Sequence, residues 1–297
     1  MDIQRRTFIQ TAAAAATLGI VPRVSDALTV PDPPQPAQLK LCAQERIPPG
    51  ATLVEKFDFM EAHGFTGFEP GGKGLSARVG ELQKALSGRN IRMSAICAGF
   101  SGVIISEQES VRNEAMRSMK EILTAAGELG STGLIIVPAF NGQTKLGHQE
   151  SRALLIEQLK ELGEHAVSVR SKILMEPLNR KEAYFLRLVA DAAAICRDVN
   201  SPGICCMGDF WHMTWEETSD MGAIISGAPY LHHIHIASRK RRKMPGEDEG
   251  DNYTEGFRAL KMIGYCDYIS LECGTLGDIS ETMPAAAKLI REQWEKA

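Results

Sequence analysis

Four residues in the second half of the chain carry the most chemical meaning: Glu176, Asp209, His235 and Glu272. Each closes a short apolar run, namely Lys172–Glu176, Gly203–Asp209, Leu231–His235 and Tyr268–Glu272. Runs of this length and composition read as strands covered on both faces, as in a parallel sheet. If the strands form a barrel, their carboxyl ends open onto one face. Three carboxylates and one imidazole then converge on one point. That donor set suits a single hard or borderline divalent cation, Mn²⁺ first and Mg²⁺ or Co²⁺ next. One carboxylate at a strand end is ordinarily a solvated helix cap. Four consecutive runs ending in ligand types are not explained that way.

The elements needed to position these groups are present along the chain. Strand candidates fall at Leu39–Ala43, Phe65–Glu69, Arg92–Ala98, Gly133–Pro138, Lys172–Glu176, Ile204–Asp209, Leu231–Ala237 and Tyr268–Glu272. Between them lie stretches with helical periodicity. Val111, Ala115, Met119, Ile122, Ala126 and Leu129 recur at steps of three and four, and Leu154, Leu155, Leu159, Leu162 and Ala166 repeat the pattern. A final helix is expected from Ile279 to Lys296. Eight β-then-α units predict an α/β fold, a single (β/α)8 barrel, over residues 39–297. Gly71-Gly72-Lys73-Gly74 lacks the spacing of a phosphate loop and reads as a flexible turn.

The first residues read differently. Arg5-Arg6-Thr7-Phe8-Ile9-Gln10 is a twin-arginine pattern followed by an uncharged, alanine-rich stretch, and Ser25-Asp26-Ala27 offers a cleavage site. Residues 1–27 are therefore expected to be an export signal to the periplasm. The apolar stretch is shorter than the roughly 20 residues a membrane span needs, so stable insertion is not expected. Residues 28–38, with prolines at 31, 33, 34 and 36, read as an extended linker. Seven scattered cysteines make neither a disulfide framework nor a zinc motif, and Cys42, Cys97, Cys205 and Cys206 read as small buried hydrophobes. A formal net charge of −4 gives no reason to expect nucleic acid as a partner.

The motifs around the four ligand types sharpen the reading. Glu176-Pro177-Leu178-Asn179-Arg180-Lys181-Glu182 is followed by Tyr184-Phe185-Leu186. Asp209-Phe210-Trp211-His212, His233-Ile234-His235, and the run from Arg239 to Lys243 leading into Met244-Pro245-Gly246 come next. This constellation resembles the sugar isomerase and epimerase barrels of the xylose-isomerase-like superfamily, especially ketose 3-epimerases of the D-tagatose or D-psicose type. The resemblance implies that Glu176, Asp209, His235 and Glu272 bind the metal and that Glu176 and Glu272 are the acid/base pair. It also implies that Glu182, His212 and a loop arginine contact substrate oxygens. Counting from His235 selects Arg241, and aligning on Pro-Gly selects Arg242. A small-molecule carbohydrate substrate and a homo-oligomer are implied as well.

The chemistry accounts for the residue types. Inverting a stereocentre beside a carbonyl requires loss of a weakly acidic carbon-bound proton. A divalent ion on the carbonyl and neighbouring hydroxyl oxygens stabilises the resulting enediolate, and a carboxylate on each side of the sugar plane exchanges the proton. With a 3-keto-glycoside, the same groups predict a second outcome, lyase elimination of the aglycone. A metal nuclease on this barrel would use additional histidines after early strands, which the chain lacks. Among lesser candidates, Glu69 reads equally as a substrate contact or as a cap or salt bridge. Phe100, Phe140, Phe210 and Trp211 are sugar-wall or core residues, His232 and His233 are structural, and the Arg239–Lys243 run is a solvated loop balanced by the acidic residues after it.

Overall fold

The computed structural model describes residues 36–297. The expected signal, 1–27, and most of the linker, 28–38, lie outside the described residues. From Lys40 onward the order is β1 (Lys40–Gln44), α1 (Leu53–Ala62), β2 (Gly67–Glu69), α2 (Val79–Leu86), β3 (Arg92–Met93), β4 (Ala95–Cys97), α3 (Glu109–Glu128), β5 (Gly133–Ile136) and α4 (His148–Ser168). It continues with β6 (Ile173–Met175), α5 (Val189–Val199), β7 (Ile204–Asp209), α6 (Phe210–Glu216), α7 (Asp220–Gly227), β8 (Leu231–Ile236), α8 (Thr254–Met262), β9 (Tyr268–Leu271) and α9 (Ile279–Lys296). Among the described residues no helix is long and apolar enough to cross a membrane.

All strand pairs are parallel, in the order β3-β2-β1-β9-β8-β7-β6-β5-β4. The third expected strand is two segments, β3 and β4, broken at Ser94. Its partners change there: β3 pairs with β2, and β4 pairs with β5. Ser94 joins both sides, since its N–H donates to Phe68 O at 3.0 Å and its carbonyl accepts from Thr132 N at 2.7 Å. Eight staves in nine segments thus close the barrel.

Period-2 alternation divides the core. Ala95, Ile135, Leu174, Cys205 and Met207 form a small buried cluster of their own. Their neighbours Leu134, Ile136, Ile173, Met175, Ile204 and Cys206 belong to the larger cluster shared with the helices. The periodic stripe of α3 is buried at Ala115, Met119, Ile122 and Ala126, and that of α4 at Leu155, Leu159, Leu162 and Ala166. Gly130, with φ of +66°, ends the α3 unit in the left-handed conformation that glycine adopts most readily.

The glycine-rich turn after β2 is packed rather than flexible. A Cβ on Gly72 would lie 2.1 Å from Ala98 O, and one on Gly99 would lie 2.2 Å from Lys73 N. The two backbones meet closely where β2 and β4 leave the barrel, and only glycine permits it.

On the outer face of β8, His232 Nδ1 meets Asp267 Oδ2 at 2.8 Å. Burial opposes protonation of this imidazole, but Asp267 outweighs it and raises the pKa to about 9. A raised folded-state pKa gives stability that is fully present below the unfolded value near 6.5 and is lost as pH rises through 9. His232→Gln is therefore expected to lower stability by about 1–2 kcal/mol at pH 6 and by much less at pH 10. Denaturant unfolding at the two pH values checks this, and equal losses would contradict it.

Candidate metal centre

The four ligand types do converge. Ligand atoms of Glu176, Asp209, His235 and Glu272 all lie within 4.8 Å of one another. The staves deliver them in slightly different ways. Asp209 ends β7 and His235 lies one residue before the end of β8, whereas Glu176 and Glu272 are the first residues beyond β6 and β9. A register shift between Cys206 and Gly208 sets Asp209 directly beside His235. Asp209 also caps α6, with Oδ1 accepting from Trp211 N at 2.7 Å. One turn of that helix brings buried His212 to the same place, its Nε2 3.5 Å from Asp209 Oδ2.

The electrostatics of these groups suit a cation. His235 Nδ1 is 3.0 Å from Glu272 and 3.5 Å from Glu176. Neither contact is a hydrogen bond, and both His235 Nδ1 and Glu176 Oε1 are buried without a partner among the described residues. Burial, together with the Glu272 charge, raises the Glu176 pKa. Burial also tends to raise that of Glu272, but His235 and Arg242 hold it at about 2. Protonation of His235 is opposed by burial and driven upward by Glu69 and Glu272. Crowded carboxylates beside an imidazole nitrogen and an oxygen that both lack hydrogen-bond partners fit a divalent cation.

Supporting contacts orient the donors. His235 Nε2 lies 3.0 Å from Glu69 Oε1, and His233 Nε2 lies 2.8 Å from Glu69 Oε2. Glu69 is buried, and although burial works against its ionisation, His235 and His233 hold its pKa far below the usual range. As an ionised acceptor it fixes the proton of His235 on Nε2 and leaves Nδ1 facing the other carboxylates. Glu69 is thus an internal hydrogen-bond partner. Gln44 Nε2 donates to both Glu69 Oε1 at 3.0 Å and Glu272 Oε1 at 2.8 Å, tying the first stave to the last. Asn179 donates from N and Nδ2 to His212 Nδ1, and from Nδ2 to Glu182 Oε1 at 2.9 Å. Neither Gln44 nor Asn179 stands out in the sequence. Gln44 falls one residue past the expected first strand, and Asn179 is embedded in a motif noted for its acids.

The two candidate arginines separate. Arg242 Nη2 lies 3.0 Å from Asp209 Oδ2 and 2.5 Å from Glu272 Oε2, with its guanidinium 4.6 Å from the Trp211 ring centroid. Arg241 is held away from the site, its Nε donating to Asp248 Oδ1 at 2.5 Å. Asp248 also accepts from Ser238 Oγ and from the backbone of Lys240 and Arg241, so the basic loop is anchored rather than merely solvated. Phe210 is likewise not a sugar wall: it packs in the core against Tyr253 and Phe257. Phe140 is exposed, and Trp211 lines a cavity.

Residues 57–293 match the family described as xylose isomerase-like TIM barrel, and the chain belongs to it. It is 28% identical over 243 residues to 3-dehydro-D-guloside 4-epimerase of Escherichia coli, covering 79% of this chain and 90% of that protein. It is 30% identical to D-psicose 3-epimerase of Agrobacterium fabrum over 117 residues, covering 39% of this chain and 40% of that protein. The crystal structure of 3-keto-D-glucoside 4-epimerase from E. coli superposes with a TM-score of 0.77 at 24% identity, over 86% of this chain and 99% of that one. The named relatives are epimerases, hence isomerases, and the chain is an enzyme of that class.

Because Glu69 governs the His235 tautomer, Glu69→Gln is expected to weaken Mn²⁺ binding about 10–100-fold. Calorimetric titration of the purified variant measures this directly. An affinity equal to wild type would remove Glu69 from any part in holding the ion.

Proposed function

We propose that the protein is a metal-dependent epimerase that inverts a stereocentre beside the ketone of a 3-keto-glycoside. The carrying observation is the convergence of Glu176 and Glu272 on one point with Asp209 and His235 between them. Glu176 follows the fifth stave and Glu272 the eighth, so the two carboxylates approach from different parts of the ring. One is placed to take the carbon-bound proton and the other to return a proton to the opposite face. His212, with Nδ1 engaged by Asn179, carries its proton on Nε2, 3.5 Å from Asp209 Oδ2, as the donor it can offer to substrate. Together with Arg242 and Glu182 it orients the sugar oxygens. A divalent ion held by Glu176, Asp209, His235 and Glu272 would supply Lewis-acid stabilisation of charge developing on the carbonyl oxygen. Mn²⁺ suits the mostly oxygen donor set with its single imidazole.

The substrate class draws its support from the extent of likeness. The match to the guloside epimerase spans nearly that whole protein, whereas the match to the psicose epimerase spans less than half of that one. None of these named relatives is a lyase, so elimination has no comparable support. The twin-arginine leader would place the reaction in the periplasm, where an oxidised glycoside is a reasonable substrate and a sugar phosphate is not.

Incubation of the Mn²⁺-loaded enzyme with 3-keto-glucosides and free ketoses in D₂O tests the reading. Deuterium is expected at a carbon flanking the ketone of the glycoside, with the glycosidic bond intact. Glu176→Gln and Glu272→Gln are each expected to slow exchange by about 10²–10⁴-fold. Release of the aglycone would establish elimination instead, and exchange confined to free ketoses would overturn the glycoside assignment.

A further inference from the structure

Beside the carboxylate cluster lies a cavity of about 360 Å³ that the proposed proton transfer does not use. It is lined by Asn179, Glu182, Trp211, Trp215 and Lys240, among others. Trp211 and Trp215 stand four residues apart on α6 and therefore share one face of the helix. Their Cα atoms are offset by about 6 Å along the axis, close to the footprint of one six-membered ring. Trp215 is 48% exposed, unusual for the largest apolar side chain. Its surroundings are held in place: Arg180 pairs with Glu216 at 2.9 Å, and the Lys181 ammonium sits 5.4 Å from the Trp215 ring centroid.

The cavity is graded from polar to aromatic. Glu182 contributes a carboxylate, held by Asn179, while the indoles contribute flat apolar surface. Trp211 links this cavity to the reaction centre, because Arg242 stacks on it and reaches Asp209 and Glu272. A separate cavity of about 640 Å³, lined by Gln44, Glu69, Cys97 and Glu272, lies on another side of the same cluster. One compartment therefore borders a proposed acid/base residue directly, and the other lies beyond Arg242 and Trp211.

We infer that the Trp211–Trp215 cavity is the aglycone subsite of the enzyme, built to stack a flat-faced ring, either aryl or pyranose, attached to the reacting sugar. Stacking on an indole is sequestered from the proton-transfer groups, so it contributes binding and selectivity rather than chemistry. This inference rests on the glycoside reading above, and its test separates the two.

Binding of methyl glucoside, phenyl glucoside and cellobiose, none of which carries the ketone, is measured by calorimetry on the Mn²⁺-loaded enzyme. Phenyl glucoside or cellobiose, according to which ring the subsite takes, is expected to bind about tenfold more tightly than methyl glucoside. Trp215→Ala is expected to abolish that advantage, and Trp215→Phe to restore most of it. With the keto forms, the ratio of kcat/KM for phenyl over methyl glycoside is expected to fall about tenfold in Trp215→Ala, through KM. Absence of any advantage in the wild type, or its survival in Trp215→Ala, would overturn the subsite. So would a change in oligomeric mass in Trp215→Ala with the binding ratio unaltered, since the indole would then belong to a contact between copies. Ring-selective binding without turnover of any keto form would leave the subsite standing and count against the epimerase.

Discussion

The burial of several like-charged carboxylates around one imidazole is the constraint on which the barrel mouth depends. Glu69, Glu176, Asp209 and Glu272 crowd His235, and among the described residues Arg242 is the cationic side chain that pairs with two of them. Such a cluster is costly in a low-dielectric interior unless positive charge enters it. A proton on His235 supplies some of that charge. A divalent ion held by the candidate ligands would supply more, and the orphaned Glu176 oxygen would be available to it. The fold thus concentrates negative charge at one point, and the proposed acid/base residues Glu176 and Glu272 are part of that concentration.

Holding the cluster in register involves the first two staves as well as the last four. Gln44 from β1 bridges Glu69 and Glu272, and Glu69 from the end of β2 fixes the ring of His235 through Nε2. On the other side, Asn179 fixes His212 and Glu182 with one side chain and its own backbone N–H. These contacts join staves that are distant in sequence but contiguous in the sheet, β2-β1-β9-β8 on one side and β6-β7 on the other.

What the sequence could reveal follows from the same physics. Parity along a strand decides which side chains enter the barrel, so the ends of the later apolar runs were readable as one convergent set. Parity says nothing about groups whose role arises from a partner far away in sequence. Glu69 therefore looked ambiguous, and Gln44 escaped notice. Loop direction was equally opaque. Arg241 and Arg242 differ by one position, and the Asp248 clamp, with the left-handed backbone at Arg242, decides which one turns inward. Phe210 and Trp211 pose the same problem at a helix start: one enters the core and the other faces the cavity because helix geometry, not composition, sets their directions.

Arg242 joins the two halves of this account. Its guanidinium rests on Trp211 and touches Asp209 and Glu272, so it contacts both the candidate metal-ligating carboxylates and a residue of the aromatic cavity. A cation at the candidate site would weaken the hold of the guanidinium on those carboxylates, because both positive charges would compete for the same lone pairs. The stacking contact with Trp211 does not depend on those lone pairs and keeps the arginine close by. An arginine tethered in this way can turn its donors toward substrate oxygens while remaining at the boundary between the reaction centre and the proposed aglycone compartment. Lysine would not serve equally well, since it lacks the planar face for stacking and the fork of donors. The choice of arginine at this position thus follows from having to answer an aromatic surface and a pair of carboxylates at once.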